Sequence, residues 1–163
     1  RADAHKVCLK KQKIQLQSFI EDIFGIFEYQ AEEQHCNFVL RLEATELSAD
    51  TELLQQALYN LISNALIHGD NHRTIYVLSH RKNINNMQMI ILSVITSGLE
   101  VAPEHLPHLF ERFYQCSSSR QSPHQTGGLG LSIVASILTL HQGMYQAVNS
   151  AEGICFELLF PEA

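Results

Sequence analysis

The sequence predicts an α+β fold, a two-layer α/β sandwich in which about three helices cover one mixed, mostly antiparallel sheet. The first observation is that apolar residues return at helical spacing in three stretches: 16–34, 51–67 and 131–140. The second is that strand-like apolar patterns lie between and after them, at 37–44, 74–80, 86–95, 144–150 and 153–160. Because several of these strands are joined by short turns, antiparallel pairing is favoured.

The composition supports a single globular domain. The 163 residues are 45% hydrophobic and 17% charged, which allows a substantial core. The formal net charge of -6 disfavours nonspecific nucleic-acid binding, and no apolar run reaches the roughly 20 residues that cross a bilayer. Four cysteines and nine histidines are scattered without disulfide or metal-ligand spacing. Because the chain opens with Arg1, we expect a segment of a longer protein.

The first half of the chain predicts a helix, a strand and a second helix. Residues 1–12 are basic and polar, and we interpret them as the end of an upstream helix or a linker before a domain at 13–163. Residues 16–34 form one amphipathic helix in this prediction, and NFVLRLEA alternates as a strand. Ser48 and Asp50 are capping candidates for the helix that runs from about Thr51 to Ile67.

The second half predicts paired strands, a lid, a helix and a hairpin. TIYVLSH and NMQMIILSVI are strands joined by the polar turn RKNIN. The irregular stretch from Thr96 to Gly128 is long enough to predict a functional lid. A helix follows from Leu131, with Gly143 as its candidate C-cap, and two strands close the chain around a turn at 151–153.

A polar stripe follows one face of the second helix. Gln56, Asn60, Asn64 and His68 recur at intervals of four residues and therefore line up. Asparagine is a mediocre helix former, so two of them in mid-helix call for an explanation. Amide oxygens suit Mg²⁺, which is held by a few protein oxygens, water and phosphates. The alternative is a solvent-exposed polar stripe without a ligand.

Three glycines crowd into four positions just before the helix at Leu131, in the stretch TGGLGLSIV. A glycine loop that leads into a helix N-terminus presents backbone N–H groups and the positive end of the helix dipole, which suit phosphate. The alternative is a flexible loop before a buried helix. An amide ligand for Mg²⁺ and a phosphate-binding loop, separated by a lid, together predict a nucleotide site.

Four segments, taken in this order, resemble the ATP-binding catalytic domain of bacterial sensor histidine kinases. This domain has a Bergerat-type fold with an ATP lid and belongs to the superfamily that includes gyrase and MutL. NLISNALIH (60–68) is similar to the asparagine box and VITSGLEV (94–101) stands in the place of the first glycine box. HLFERFYQ (108–115) resembles the phenylalanine box and TGGLGLSIV (126–134) the second glycine box. APEHLPHLFERFY further resembles the heavy-metal group of these sensors, which respond to periplasmic copper or silver.

The resemblance implies ATP and Mg²⁺ as ligands and phosphoryl transfer to a histidine as the activity. It assigns Asn64 to Mg²⁺ and the phosphates, and Asn60 to the catalytic position where ATP-hydrolysing relatives carry a glutamate. Arg112 is the second catalytic candidate, since it or Arg120 would approach the γ-phosphate. The implied nucleotide-binding residues are Asn64, His68, Thr96, Gly98, Phe110, Arg120, Thr126, Gly127, Gly128, Leu129, Gly130 and Leu131.

The resemblance also implies partners outside this chain. RAD at residues 1–3 is similar to the end of the dimerisation domain, so the phosphoacceptor histidine would lie upstream. A response regulator would receive the phosphoryl group, while neither nucleic acid nor direct membrane contact is implied for this segment. The implied location is the cytoplasmic side of a bacterial inner-membrane sensor.

Several positions depart from the family pattern. Thr96 replaces the aspartate of the first glycine box and Glu100 replaces its second glycine, which brings a carboxylate to a turn that we expect to be tight. Ile67 replaces a common basic residue, and Thr126 replaces the first glycine of the second box. We therefore expect weak nucleotide affinity, in the high micromolar to millimolar range. The alternative function is a degenerate domain that keeps the fold and acts as a regulatory or protein-interaction module.

Overall fold

The computed structural model describes residues 8–69, 71–114 and 129–162. The elements in these residues are β1 (Lys11–Gln15), α1 (Leu16–Ile26), α2 (Glu28–Glu33), β2 (Asn37–Leu42), β3 (Glu46–Asp50), α3 (Thr51–His68), β4 (Thr74–Ile84), β5 (Met87–Ser97), a 3-10 helix (Pro103–His108), α4 (Leu129–Leu140), β6 (Met144–Asn149) and β7 (Gly153–Pro161).

The main sheet has five strands in the order β2-β4-β5-β7-β6. The β2–β4 pair is parallel, and the other three pairs are antiparallel. Strands β1 and β3 form a separate two-stranded antiparallel sheet, with Lys11 opposite Asp50. The predicted mixed, mostly antiparallel sheet is therefore confirmed.

The core lies between one face of the main sheet and the helices. Along β5, Ile90, Leu92 and Val94 are buried in the same cluster as the apolar faces of α1, α3 and α4, because alternate residues of a strand point to the same face. Met89 and Ile91 point the other way and form a small cluster with Leu159. This arrangement confirms the predicted two-layer sandwich.

The N-terminal predictions are partly wrong. The single helix predicted at 16–34 is two helices, because Phe27, with φ -100° and ψ 7°, interrupts the helical backbone. Gly25 weakens the end of α1, and the break lets the buried Phe27 ring pack 4.8 Å from the ring of Tyr59. The last two residues of the predicted linker, Lys11 and Gln12, begin β1 instead.

The boundaries of α3 and α4 differ slightly from prediction. Asp50 caps α3 as predicted, since its carboxylate accepts the N–H of Leu53 at 3.2 Å. Helix α4 begins at Leu129 rather than Leu131. At its end the left-handed residue is Gln142, with φ 58°, and not the predicted Gly143. Gly143 is needed for a different reason, because a Cβ there would lie 2.3 Å from the carbonyl oxygen of Leu159.

The region predicted as a lid contains some regular structure. Thr96 and Ser97 belong to β5, and a 3-10 helix covers Pro103–His108. Among the described helices, none is long and apolar enough to cross a membrane.

Candidate functional site

The polar face of α3 lies beside the first turn of α4. Asn60 donates a hydrogen bond from Nδ2 to the carbonyl oxygen of Gly130 at 3.2 Å. Asn64 lies one turn further along the same face and is half-buried, while Gln56 and His68 are exposed. Within the described residues nothing hydrogen-bonds to the Asn64 side chain, so its amide oxygen is available to a ligand.

The beginning of α4 supplies main-chain donors at this point. Leu129, Gly130 and Leu131 form its first turn, and N–H groups in the first turn of a helix lack acceptors within the helix. Because Asn60 contacts Gly130, these donors and the amide face of α3 are on the same side of the molecule. Arg120, Thr126, Gly127 and Gly128 lie outside the described residues, and their assignments stay predictions.

A tight turn after β5 forms the other end of the candidate site. Thr96 is buried, with 2% of its surface exposed, and Gly98 has φ 72°, a left-handed conformation that favours glycine. The turn is held by main-chain bonds: Gly98 N–H donates to Glu152 O at 2.7 Å, and Ile154 N–H donates to Leu99 O at 2.6 Å. Thr96 and Gly98, which the resemblance assigns to nucleotide binding, thus lie in the same turn.

This turn packs against the end of α3. A Cβ on Gly69, the residue after α3, would lie 3.5 Å from Cγ2 of Thr96 and 3.3 Å from Cδ of Arg73. Arg73 in turn donates from Nη1 to the carbonyl oxygen of Ser97. The end of α3 and the Thr96–Gly98 turn are therefore neighbours, and α3 connects them to the first turn of α4.

Two charged or titratable side chains border this end of the site. His68 is exposed on one side, and partial desolvation by the protein lowers its imidazole pKa below the usual 6.5, which keeps it neutral at pH 7. The side chain of Glu100 is exposed. Its carboxylate therefore stays hydrated, and the crowding that we expected from it is not observed.

Phe110 and Arg112 lie beside the face of α4 that borders β6, and together with it they line one groove. The ring of Phe110 packs 4.7 Å from that of Tyr145 and edge-on to Phe156 at 5.8 Å. The exposed guanidinium of Arg112 lies 5.2 Å from the ring centroid of Phe113. Both residues line an open groove of about 710 Å³ along α4 and β6. Among the described residues, no hydrogen bond joins Arg112 to Asn60 or Asn64.

Three residues that hold the site together escaped the sequence analysis. Asn149 accepts a hydrogen bond from Val101 N–H at 3.0 Å and donates one to Val101 O at 2.7 Å, which fixes the chain after the turn. Gly153 allows the Thr96 carbonyl to approach, because a Cβ there would be only 1.8 Å from that oxygen. Arg73 supports the turn through its hydrogen bond to the carbonyl oxygen of Ser97. Only Gly153 had a sequence signal, as a glycine between two predicted strands.

Two named relatives are similar over most of this chain. It is 32% identical to the sensor histidine kinase CusS of Escherichia coli O157:H7 over 162 residues, which are 99% of this chain and 33% of that protein. It is 33% identical to the heme sensor protein HssS of Staphylococcus aureus strain JH9 over 150 residues, 92% of this chain and 31% of that protein. The chain thus spans about a third of the length of these relatives.

Solved structures share the fold. The catalytic domain of histidine kinase ThkA has a TM-score of 0.80 and 22% identity, with 94% of this chain and 97% of that chain covered. Full-length ShkA in complex with AMPPNP has a TM-score of 0.78 and 20% identity, covering 96% and 32%. ThkA in complex with the response regulator protein TrrA has a TM-score of 0.74 and 22% identity, covering 94% and 42%. The predicted Bergerat-type fold is confirmed.

The family model is matched by the part of the chain that builds the candidate site. Residues 49–163 match the model described as histidine kinase-, DNA gyrase B-, and HSP90-like ATPase. This range contains α3, the turn after β5 and α4. The resemblance found from the four sequence boxes is thereby confirmed. The chain belongs to the histidine kinase-, DNA gyrase B- and HSP90-like ATPase family.

Proposed function

We propose that this chain is the catalytic domain of a sensor histidine kinase and transfers the γ-phosphoryl group of ATP to a histidine in a dimerisation domain. The observation that carries the proposal is the hydrogen bond from Asn60 Nδ2 to Gly130 O, because it brings the amide face of α3 to the first turn of α4. The similarity to CusS and HssS, both named as sensors, supports the same activity.

In this proposal the phosphates bind between α3 and α4. The N–H groups of Leu129, Gly130 and Leu131 donate to phosphate oxygens, and the positive end of the α4 dipole favours their charge. The half-buried amide of Asn64 fits Mg²⁺, since this ion commonly takes few oxygen ligands from the protein and fills its other coordination positions with water and phosphate oxygens. When bound, Mg²⁺ neutralises charge on the phosphates. Thr126, Gly127 and Gly128, which precede the first turn of α4 in the sequence, are assigned to the same phosphates in this proposal.

The base binds at the Thr96–Gly98 turn. The hydroxyl of Thr96 accepts a hydrogen bond from the adenine amino group, without the charge assistance of an aspartate, so this bond is about half as strong. Gly98 allows the close approach of Arg73, whose Nη1 would lie 2.9 Å from a Cβ there, and the neutral His68 imidazole lies at the end of α3 between base and phosphates. These contacts predict the weak affinity stated above.

The nucleophile in this proposal is a histidine and not water. The amide of Asn60 cannot take a proton from water and already donates to Gly130, so hydrolysis has no base at this position. A histidine nitrogen forms a bond to the γ-phosphorus while the bond to the β,γ-bridging oxygen breaks, and ADP leaves. Arg112 and Arg120 neutralise charge on the transferred group, and positioning supplies most of the rate enhancement.

The groove along α4 is the proposed contact surface for the dimerisation domain. Its wall exposes Leu140 and Tyr145, with 39% and 38% of their surfaces accessible, and Phe110 and Ile133 extend the apolar area. A response regulator is proposed as the next acceptor, by analogy with the ThkA complex with TrrA. We also propose a cytoplasmic location below an inner-membrane sensor of heavy metals, on the similarity to CusS.

The test compares Asn64→Ala with Gln56→Ala, which removes an exposed amide from the same face of α3 without touching the proposed site. Removing the Mg²⁺ ligand should weaken binding of an ATP analogue with Mg²⁺ by about tenfold or more, measured by calorimetric titration, whereas Gln56→Ala should change it less than twofold.

A second measurement addresses the activity itself. With a dimerisation domain added and radiolabelled ATP, the wild-type chain should label the phosphoacceptor histidine and Asn64→Ala should not. Absence of label with the wild-type chain, or full labelling by Asn64→Ala, would contradict the proposal.

A further inference from the structure

His141, the residue after α4, is buried and hydrogen-bonded on both ring nitrogens. Only 2% of its surface is exposed. Nε2 lies 3.0 Å from the backbone nitrogen of Asp50, and Nδ1 lies 2.8 Å from the carbonyl oxygen of Ile137. Because a backbone N–H only donates and a carbonyl only accepts, Nε2 is the acceptor and Nδ1 carries the proton. The ring also packs edge-on to Phe160 at 5.4 Å.

The two hydrogen bonds of His141 differ in what they connect. The bond to Ile137 stays within the last turn of α4. The bond from Asp50 crosses to the residue that caps the N-terminus of α3. His141 therefore joins the end of α4 to the beginning of α3.

A second polar contact joins the same two helices at the opposite end of α4. Asn60 donates to Gly130, ten residues after Asp50 on α3 and eleven residues before His141. At 1.5 Å per residue, the two contacts are about 15 Å apart along each helix. Helices α3 and α4 thus run antiparallel and are attached at two separated points.

Two polar contacts with α3 restrict the orientation of α4 more than a single contact would. Apolar residues also join α3 to α4, with Leu58 and Leu61 in the same cluster as Val134 and Leu138, and apolar contact is not directional. With the Asn60–Gly130 contact alone, only apolar packing would oppose a tilt of α4 about its first turn. The His141–Asp50 bond fixes that tilt and hence the direction of the first-turn N–H groups.

We propose that His141, as the neutral Nδ1–H tautomer, is a positioning residue for the phosphate-binding turn of α4. It touches neither nucleotide nor Mg²⁺ and acts through the orientation of α4 against α3. The inference rests on the proposed function in one respect, which is that the ligand of the first turn is a nucleotide phosphate.

The test uses two amide replacements that each preserve one of the two bonds. In His141→Gln, the side-chain oxygen reaches the position of Nε2 and can accept from Asp50 N–H. In His141→Asn, the shorter amide reaches only the position of Nδ1 and keeps the bond to Ile137. We expect His141→Gln to bind AMPPNP with Mg²⁺ within about threefold of wild type and His141→Asn to bind about tenfold more weakly, a value at the upper end of that for the loss of one neutral hydrogen bond.

A second pair of variants changes Asp50 and retains the His141 side chain, although the Cδ of a proline at Asp50 would point toward His141 Nε2 and displace the ring. Asp50→Pro removes the donating N–H and the cap. The backbone φ of Asp50, -75°, is already suitable for proline. Asp50→Ala removes the cap and the acceptor of the Lys10 N–H, as Asp50→Pro also does, but keeps the Asp50 backbone N–H, and it serves as the matched control. We expect Asp50→Pro to lose about tenfold in affinity relative to Asp50→Ala, for the same reason. All affinities are measured well below the melting temperature of every variant, so that loss of folded protein does not contribute.

The outcomes separate this inference from the proposed function. If the wild-type chain binds no nucleotide, the proposed function and this inference both fail. If the wild-type chain binds, but affinity is equal within each pair or follows the melting temperature, only the positioning role fails. An ¹⁵N spectrum of wild-type His141 that shows a protonated Nε2 would also overturn it.

Discussion

The two ends of the candidate site are held in different ways. At the phosphate end, side chains connect α3 and α4, through Asn60 to Gly130 and through His141 to Asp50. At the base end, the Thr96–Gly98 turn is held by main-chain hydrogen bonds and by the close approach of Gly153. The phosphate end thus depends on contacts made by the Asn60 and His141 side chains, whereas the base end combines main-chain bonds and a glycine with support from the Arg73 and Asn149 side chains.

This difference explains how residues of the first glycine box can be replaced while the turn keeps its main-chain conformation. The replaced residues at this end are Thr96 and Glu100, and neither side chain makes a hydrogen bond that holds the turn. Gly98, the box glycine that remains, is the residue with positive φ. Substitution at the base end therefore alters chemical recognition without altering the main-chain geometry, whereas substitution at Asn60 or His141 alters the geometry itself.

The largest effect is expected when a side chain is added where the base end has no room. Gly153→Ala places a Cβ 1.8 Å from the Thr96 carbonyl oxygen, and two backbone segments must separate to relieve the clash. We expect a loss of about 3 kcal/mol in the free energy of unfolding, measured by urea denaturation. Nucleotide affinity should fall with it.

Gly25→Ala provides the matched control. A Cβ at Gly25 in α1 meets nothing within 4 Å, so this change should stabilise the helix by up to about 1 kcal/mol. If Gly153→Ala is as stable as wild type, the turn is not held by close approach and the contrast between the two ends is lost.

A smaller effect is expected from changing recognition alone. Thr96→Val keeps the shape of the side chain and removes a hydroxyl that forms no hydrogen bond with the described residues. The free energy of unfolding should stay within about 1 kcal/mol. The preference for ATP over GTP should fall by about fivefold, the value of one neutral hydrogen bond.

Competition titrations with ATP and GTP measure this preference, and Thr45→Val, at an exposed position, is the control. An unchanged ratio would mean that Thr96 does not contact the base.

The smallest effect concerns His68. Because desolvation lowers its pKa in the folded state, protonation costs more there than in the unfolded chain. Stability should therefore be constant above the unfolded pKa of about 6.5 and fall as the pH drops below it. The exposed side chain limits the loss to less than about 1 kcal/mol.

His68→Gln should remove this part of the pH dependence in urea titrations between about pH 7.5 and pH 5.5. Nucleotide phosphates should favour protonation of His68, so affinity should rise over the same fall in pH. An identical pH profile in the two proteins would remove His68 from the site.

The sequence predicts the elements whose patterns are local and long. The helix α3 and the strand β5 are found with ends correct to within two residues, whereas β4 continues to Ile84 and includes most of the predicted turn RKNIN. Strands β1 and β3 are missed because each has five residues with only one or two buried, and their pairing joins Lys11 to Asp50 across two helices and a strand. Such pairing depends on tertiary contacts that no local pattern encodes.

The same limit applies to the site. The spacing of Asn60 and Asn64 predicts a shared face, and this face meets α4 as expected. The role of Asn149 depends on Val101, 48 residues earlier, and that of His141 depends on Asp50, 91 residues earlier. An isolated histidine or asparagine gives no indication of such partners.

The small β1–β3 ladder has a mechanical consequence. Lys10 N–H donates to the Asp50 carboxylate at 3.0 Å, and β1 then pairs with β3 as far as Gln15 opposite Glu46. We therefore expect a pull or twist applied to the backbone at Lys10 to reach the first turn of α3 without crossing the five-stranded sheet. Strand β1 would in this way be mechanically coupled to α3, the helix that carries Asn60 and Asn64.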